Sequence, residues 1–455
     1  MGQEEYMNIL YKVIGLLLIA VASMQAKSET LVFDHVNVIP MDKEQVLYDH
    51  RVIVIDNKII SIEPASSKLN VKADRLIESA GQFMIPGLSD THYHQIGYST
   101  EADDLQYKML IANGITSVLG MGEWGGQDTI AIRNRSNKKS NLSPFFKTVG
   151  PQVDNNNVKT SEDAIKMVQH HKDRGYDFIK IHGNIAKDAY LTLLDEAEKA
   201  GIPTLGHTQR DKSFEFALRM ASIVHAEDIV MAFSDEDNLA VVDMDEKLAK
   251  DIATQVKDSG IYVAPTLSTV AMIQDWTDPK RFEALKSREI NKYLPPADLA
   301  WWTSPKSDYH QKFFLSPLGL NYMKKVIKGT RLLTLALHKA GVPLLVGSDN
   351  FGIQVTGFSV HQEMQHLQDV GIPAYDILRA ATVISARFLG RIASAGTINE
   401  GKNAEFVLLA KNPLTDIKNT KTITGVMLKG KWHDKNQLAT MLQQVEDAHK
   451  EAAYD

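Results

Sequence analysis

Between residues 83 and 391 short apolar runs alternate with helix-length amphipathic stretches, and this alternation constrains the fold more than any other feature of the chain. Eight strand candidates fall at residues 83–88, 115–119, 145–149, 178–181, 203–205, 222–224, 261–264 and 343–346. Helix candidates lie between most of them, such as 161–174, opened by Ser161-Glu162-Asp163, and 187–200, closed by Gly201. Repeated strand–helix units predict an α/β chain with a (β/α)8 TIM barrel, in which chemistry sits at the C-terminal ends of the strands. Outside this region the texture changes. Residues 31–33, 36–39, 52–55 and 58–62, the last behind the turn Asp56-Asn57, read as short strands, and so do 404–409 and 424–429. The two chain ends are therefore expected to build one small β-sandwich domain, with its N-terminal part at 27–85 and its C-terminal part and tail at 396–455, around a barrel at 86–395.

Composition narrows the partners. Fifty basic against 56 acidic residues give a net charge of −6, and no long Lys/Arg block appears, so nothing attracts nucleic acid or anionic lipid. A small-molecule substrate is the expected partner, and the sequence is compatible with a homo-oligomer. The chain has 0 Cys, which excludes disulfides, iron–sulfur clusters, zinc fingers and a thiol nucleophile. Any metal must be held by His, Asp, Glu or a modified Lys. At the N-terminus Lys12, an apolar run from Val13 to Val21 and small residues up to Ala26 follow the order of a secretory signal peptide. That run is too short to span a bilayer. Residues 1–26 are thus expected to direct export to the periplasm or outside, without a stable membrane anchor, and to be removed between Ser23 and Lys27; an N-terminal helix packed on the body is the alternative.

The first barrel strand leads into Asp90-Thr91-His92-Tyr93-His94. Alternation along an extended segment puts His92 and His94 on one side, about 7 Å apart along the chain, so both imidazoles can reach one metal ion. Lys180, His207, His225 and Asp349 stand at or just after the ends of the fourth, fifth, sixth and eighth strand candidates. Each alone has an ordinary structural reading: a hydrogen-bonded strand-end histidine, or a lysine paired with a carboxylate. Together, in register with the strand ends, they form a set of metal-ligand type. His182, two residues beyond Lys180, faces the same way and is a candidate substrate contact.

These residues carry a resemblance to the amidohydrolase superfamily that covers nearly the whole chain after the signal segment. Pro86-Gly87-Leu88-Ser89-Asp90-Thr91-His92-Tyr93-His94 resembles the family's strand-one signature; Arg379-Ala380-Ala381-Thr382, Gly396-Thr397-Ile398-Asn399-Glu400-Gly401-Lys402 and Asn412-Pro413-Leu414-Thr415-Asp416-Ile417 resemble its C-terminal run. With Lys180 present the set looks like the binuclear-metal branch of imidazolonepropionase-like and prolidase-like members. The resemblance implies two divalent ions, zinc with manganese as the alternative: one on His92, His94 and Asp349, the other on His207 and His225, bridged by Lys180 carboxylated by CO2. The chain departs from the family pattern at Asn403-Ala404-Glu405, where Asp-Ala-Asp is usual, and at Leu119-Gly120-Met121-Gly122, which lacks the frequent Arg-Asp.

The implied reaction is hydrolysis of amide (C–N) bonds in small molecules, such as Xaa-Pro dipeptides or N-acyl amino acids. A metal-bridging hydroxide would be the nucleophile and Asp349 the proton shuttle to the leaving amine. Hydrolysis of cyclic amides, lactones or phosphotriesters is the alternative chemistry, and a non-catalytic binding protein of the same fold the alternative class. Residues 267–329 make an unusually long connection rich in aromatics, including Trp276, Trp301, Trp302, Tyr309, Phe313 and Phe314. It is expected to form a partial lid, or else a helical pair on the barrel flank. His170-His171 reads as a helix surface, and His361 and Glu363 as solvent or packing residues.

Overall fold

The computed structural model describes residues 29–97, 99–234, 240–307 and 317–451, so the expected signal peptide lies outside the described residues. No described helix is long and apolar enough to cross a membrane.

Both chain ends meet in one sheet. β-Branched and aromatic residues favour extended backbone in β1 (Thr30–Val38), β2 (Leu47–Ile55), β3 (Lys58–Pro64), β4 (Arg75–Glu78) and β5 (Phe83–Pro86). Far along the chain they are joined by β13 (Phe406–Leu409), β14 (Ile423–Leu428) and β15 (Lys431–Asp434). The order is β15-β14-β13-β5-β1-β2-β3, with β4 on β1, so all eight strands bond into one sheet rather than two separate ones. β1 is its hub: antiparallel to β2, parallel to β4 along Leu31–Asp34, and parallel to β5 at Asn37 and Val38. Phe33, fully buried, meets Phe406 and Trp432 edge-on at centroid distances of 5.0 and 4.9 Å, and so ties the first strand to the last.

Between these ends lies a TIM-barrel-like α/β core. One parallel sheet contains β6 (Leu88–Tyr93), β7 (Ile115–Gly120) and β8 (Phe145–Thr148); a second contains β9 (Ile179–Ile181), β10 (Thr204–Gly206), β11 (Ser222–Val224) and β12 (Tyr262–Ala264). Parallel bridges link Val153 with Ile181 and Val263 with Leu344, and Thr91 N donates to Val346 O at 2.9 Å. Helices close over the sheets as the sequence signals direct. The helix Ser161–Arg174 is capped by the Thr160 hydroxyl with Asp163 reciprocating, one residue before the expected Ser161, and it ends on left-handed Gly175. The helix Lys187–Ala200 ends on left-handed Gly201, as expected.

Two strand expectations are corrected. The first candidate, 83–88, is two strands divided at Gly87: β5 belongs to the terminal sheet, where Pro86 pairs with Phe406, and β6 opens the parallel core. Gly87 N reaches Glu405 O while Leu88 N reaches Gly114 O, and a Cβ at Gly87 would sit 2.2 Å from Thr116 Oγ1, so only glycine fits this crossing. The eighth candidate, 343–346, forms an isolated bridge rather than a regular strand: Val263 N donates to Pro343 O and Leu345 N to Val263 O, and Pro343 has no N–H with which to extend the ladder.

Candidate metal centre

The ends of β6 and of the 343–346 segment are stitched together, and the stitches place three candidate ligands. Fully buried Asp90 accepts from Ser348 N (2.9 Å), Ser348 Oγ (2.5 Å) and His92 N (3.1 Å). Asp349 N donates to His92 O (2.8 Å), His94 N to Asn350 Oδ1 (2.6 Å), and Asn350 Nδ2 to His94 O (3.0 Å). Gly347 makes the approach feasible, since a Cβ there would lie 2.6 Å from His92 Cβ. As a result His92 Nε2 and His94 Nε2 converge on one oxygen, Asp349 Oδ1, at 3.4 and 2.9 Å. Donor atoms of these three residues all lie within 4.8 Å of one another, a geometry that can hold a metal ion.

The other sequence candidates gather on the same spot. Lys180, at the centre of β9 and almost fully buried, places Nζ 3.3 Å from His92 Nε2. His225 follows β11 in a left-handed conformation, φ 69°, which turns its ring to 4.7 Å from His92 and 4.7 Å from the ring of His207. His207 follows Gly206, whose own Cβ would strike Ile181 O at 2.0 Å. His182 lies behind, its ring 4.8 Å from that of His207. All six candidate ligands, and His182, line one cavity of ≈ 630 Å³.

Burial sets the charges. It pushes the His92 and His94 imidazoles down, His225 to about 3 and His182 to about 4, so the rings are neutral and their lone pairs available. The same burial lowers the Lys180 ammonium to about 8. For Asp349 burial acts in the opposite sense, but His92, His94 and His225 outweigh it and hold the carboxyl well below its usual range. Neutral imidazoles around an ionised carboxylate, beside a lysine poised to lose its proton, make a donor set that fits divalent cations.

Several residues at the site have no signature in the sequence. Asp228 Oδ2 stands 2.5 Å from His207 Nδ1, and its other oxygen takes the Arg210 guanidinium. Thr266 Oγ1 stands 2.7 Å from His225 Nδ1, and Thr269 Oγ1 donates to Asp349 Oδ2 at 3.2 Å. Glu227, whose Oε2 is buried with no partner, faces the cavity; burial and then Asp228 push its carboxyl up.

The long connection supplies part of the cavity wall. Its helices Leu267–Thr277 and Pro296–Trp302 bring Thr269, Ile273, Asp298 and Trp302, and Leu294 lies between them. Trp302 stacks on Trp276 at 5.9 Å, whereas Trp301 is 50% exposed. Tyr309, Phe313 and Phe314 lie outside the described residues. Of three lesser expectations, the surface reading of His171 is corrected, and His361 and Glu363 take the packing one of their two readings. His171 is no surface residue: it is fully buried, with its ring nitrogens on Met167 O and Val149 O. His361 is a packing residue, bonded to Thr420 Oγ1 and Asn113 O. Glu363 is fully buried, and its Oε2 accepts from Ser268 N at 2.7 Å.

The model of the amidohydrolase family matches residues 83–433. No curated protein matches the chain. Among solved structures, a Xaa-Pro dipeptidase with bound methionine is 17% identical, with a TM-score of 0.66 over 89% of this chain and 100% of that one. A putative prolidase from Bifidobacterium longum is 18% identical, with a TM-score of 0.67 over 92% and 99%. The bottromycin amidohydrolase is 20% identical, with a TM-score of 0.69 over 92% and 90%.

Proposed function

The chain belongs to the amidohydrolase family and is a hydrolase acting on carbon–nitrogen bonds, and from that premise we propose that it is an exported, metal-dependent hydrolase of small-molecule amides. The observation that carries the reading is the convergence of His92, His94 and Asp349 beside Lys180, His207 and His225 on the floor of a single cavity. In this reading the parallel strands close as a (β/α)8 barrel, supported by the Val263–Leu344 bridge and the Thr91–Val346 bond. Residues 1–26 direct the chain to the periplasm or beyond.

His92, His94 and Asp349 would hold one divalent cation and His207 and His225 a second, with Lys180 between them after its neutral amine has taken up CO2. The cations, zinc or manganese, would lower the pKa of a bound water to about 7 and polarise the scissile carbonyl. Asp349, ionised and with Oδ2 held by Thr269, accepts the proton of the attacking water and returns it to the departing amine. His182 contacts the substrate from beside His207. Trp302, Ile273, Leu294 and Phe351 offer apolar walls to a group of dipeptide size. Xaa-Pro dipeptides and N-acyl amino acids are the substrates to try first.

The test is a hydrolysis screen of the zinc- or manganese-loaded protein across dipeptides, N-acyl amino acids, lactones and phosphotriesters, with ion content measured in parallel. Turnover of an amide series at two ions per chain is the expected result. Turnover of lactones or phosphotriesters alone would favour the alternative chemistry, and a chain that binds no ion would overturn the metal reading. Export is tested separately by N-terminal sequencing of the natively expressed protein; an intact Met1 or Met7 would refute it.

A further inference from the structure

One residue near the site sits in an unfavourable backbone conformation and spends its side chain in an unusual way. β12 ends at Ala264, and Thr266 stands two residues later at φ 51°, a left-handed conformation that a β-branched residue rarely adopts. Thr266 is also the N-cap of the helix Leu267–Thr277. A threonine there normally accepts a hydrogen bond from the first turn, but this one makes no such bond. Its hydroxyl instead donates to Pro265 O at 2.8 Å and faces His225 Nδ1 at 2.7 Å.

A hydroxyl has one proton, and here Pro265 O takes it, so the oxygen can only accept from His225. The proton of the neutral imidazole therefore sits on Nδ1, and the lone pair is left on Nε2. The carboxylate near that nitrogen agrees, since Asp349 Oδ2 at 3.8 Å is held ionised and can only accept. The turn that carries Thr266 is anchored from below: Glu363 takes the Ser268 N–H, and Ser268 Oγ donates to Ser348 O at 3.2 Å, next to Asp349.

We propose that Thr266 is a positioning residue whose hydroxyl locks His225 in the tautomer that leaves Nε2 free for a divalent cation, and that its left-handed backbone persists because the lock requires it. The inference rests on the metal reading above. A partner that fixes the tautomer of a metal-binding histidine is generally worth a tenfold or greater factor in ion affinity.

The experiment measures zinc affinity and the ion-to-chain ratio of the full chain by chelator competition and mass spectrometry, for wild type and three variants. Thr266→Ser keeps the hydroxyl. Thr266→Val removes it at nearly constant shape, and Thr266→Gly removes it while relieving the backbone, so a shared loss in those two cannot be a folding or strain effect. The expected result is that Val and Gly weaken one of the two ions by about 10- to 100-fold while the other ion is retained, and that Ser stays within about threefold of wild type. Wild-type affinity in the Gly variant, or an equal loss in the Ser variant, would overturn the role of the hydroxyl. If wild-type protein binds no zinc, the metal reading itself fails, and the proposal with it.

Discussion

The terminal sheet and the mouth of the parallel core both contain non-glycine residues in left-handed conformations, and they use them differently. In the sheet His35, Asp49 and Asp56 take φ values of 55°, 52° and 56°, and all three are exposed. His35 and Asp49 face each other at 2.7 Å where the β1–β2 register shifts, and Asp56 turns the chain between β2 and β3. At the mouth His225, Thr266 and Asp349 take values of 69°, 51° and 48°, and all three side chains are buried against one another. The same backbone device bends a hairpin in one region and aims a candidate ligand in the other. The sheet should accordingly govern stability and the mouth function, with little crossover.

The strongest challenge to that separation is Phe33→Ala. Phe33 is fully buried between Phe406 and Trp432, so the cavity left behind should lower the stability of the chain by about 3–5 kcal/mol. Calorimetry should record the loss, while zinc affinity below the unfolding transition stays at the wild-type value. A parallel fall in affinity would mean that the sheet supports the site directly.

Asp349→Asn is the converse. It keeps size and one coordinating oxygen but removes the proton acceptor, so kcat should fall by at least about a hundredfold in a variant that remains folded and ion-loaded. Near wild-type turnover in such a variant would remove Asp349 from the proton path. Lys180→Ala should differ by losing ions together with activity.

A smaller effect separates two adjacent tryptophans. Trp302 lines the cavity, whereas Trp301 is half exposed. Trp302→Ala should raise KM several-fold at unchanged ion content, and Trp301→Ala should leave it within error. Equal effects would mean that the wall of the cavity extends over Trp301.

The candidate ligands were legible in the sequence because each stands at or just after a strand end. His92 and His94 share a side through simple alternation, and Lys180, His207, His225 and Asp349 fall where parallel strands deliver their C-terminal residues. The residues that steady them were not. Thr266, Thr269 and Asp228 act through the path of a loop or the first turn of a helix, and a left-handed threonine is a position that propensity argues against. The break at Gly87 had a local mark, the Pro86-Gly87 pair inside 83–88, but which sheet each half serves depends on its partners: Phe406–Leu409 for one and Ile115–Gly120 for the other. Glu363 looked like a solvent or packing residue because its burial depends on how the helix Phe358–Asp369 meets the start of Leu267–Thr277, which no local pattern records.

Glu363 supplies the mildest test of the comparison. In the terminal sheet the buried acid Asp34 is forked by Arg51 at 2.9 and 3.1 Å. Beneath the mouth Glu363 has a backbone N–H on one oxygen and no partner on the other, and burial raises its carboxyl from 4.5 to about 7. Between those values the folded chain keeps a proton that the unfolded chain releases, so the contribution of Glu363 to stability is fully present below the unfolded value and declines as pH rises through the folded one. Glutamine imitates the protonated acid and does not titrate. Glu363→Gln should therefore match wild type near pH 4 and melt a few degrees higher at about pH 8, with the gap opening across the interval between the two values. A gap of the same size at both ends would show that Glu363 does not titrate in this interval.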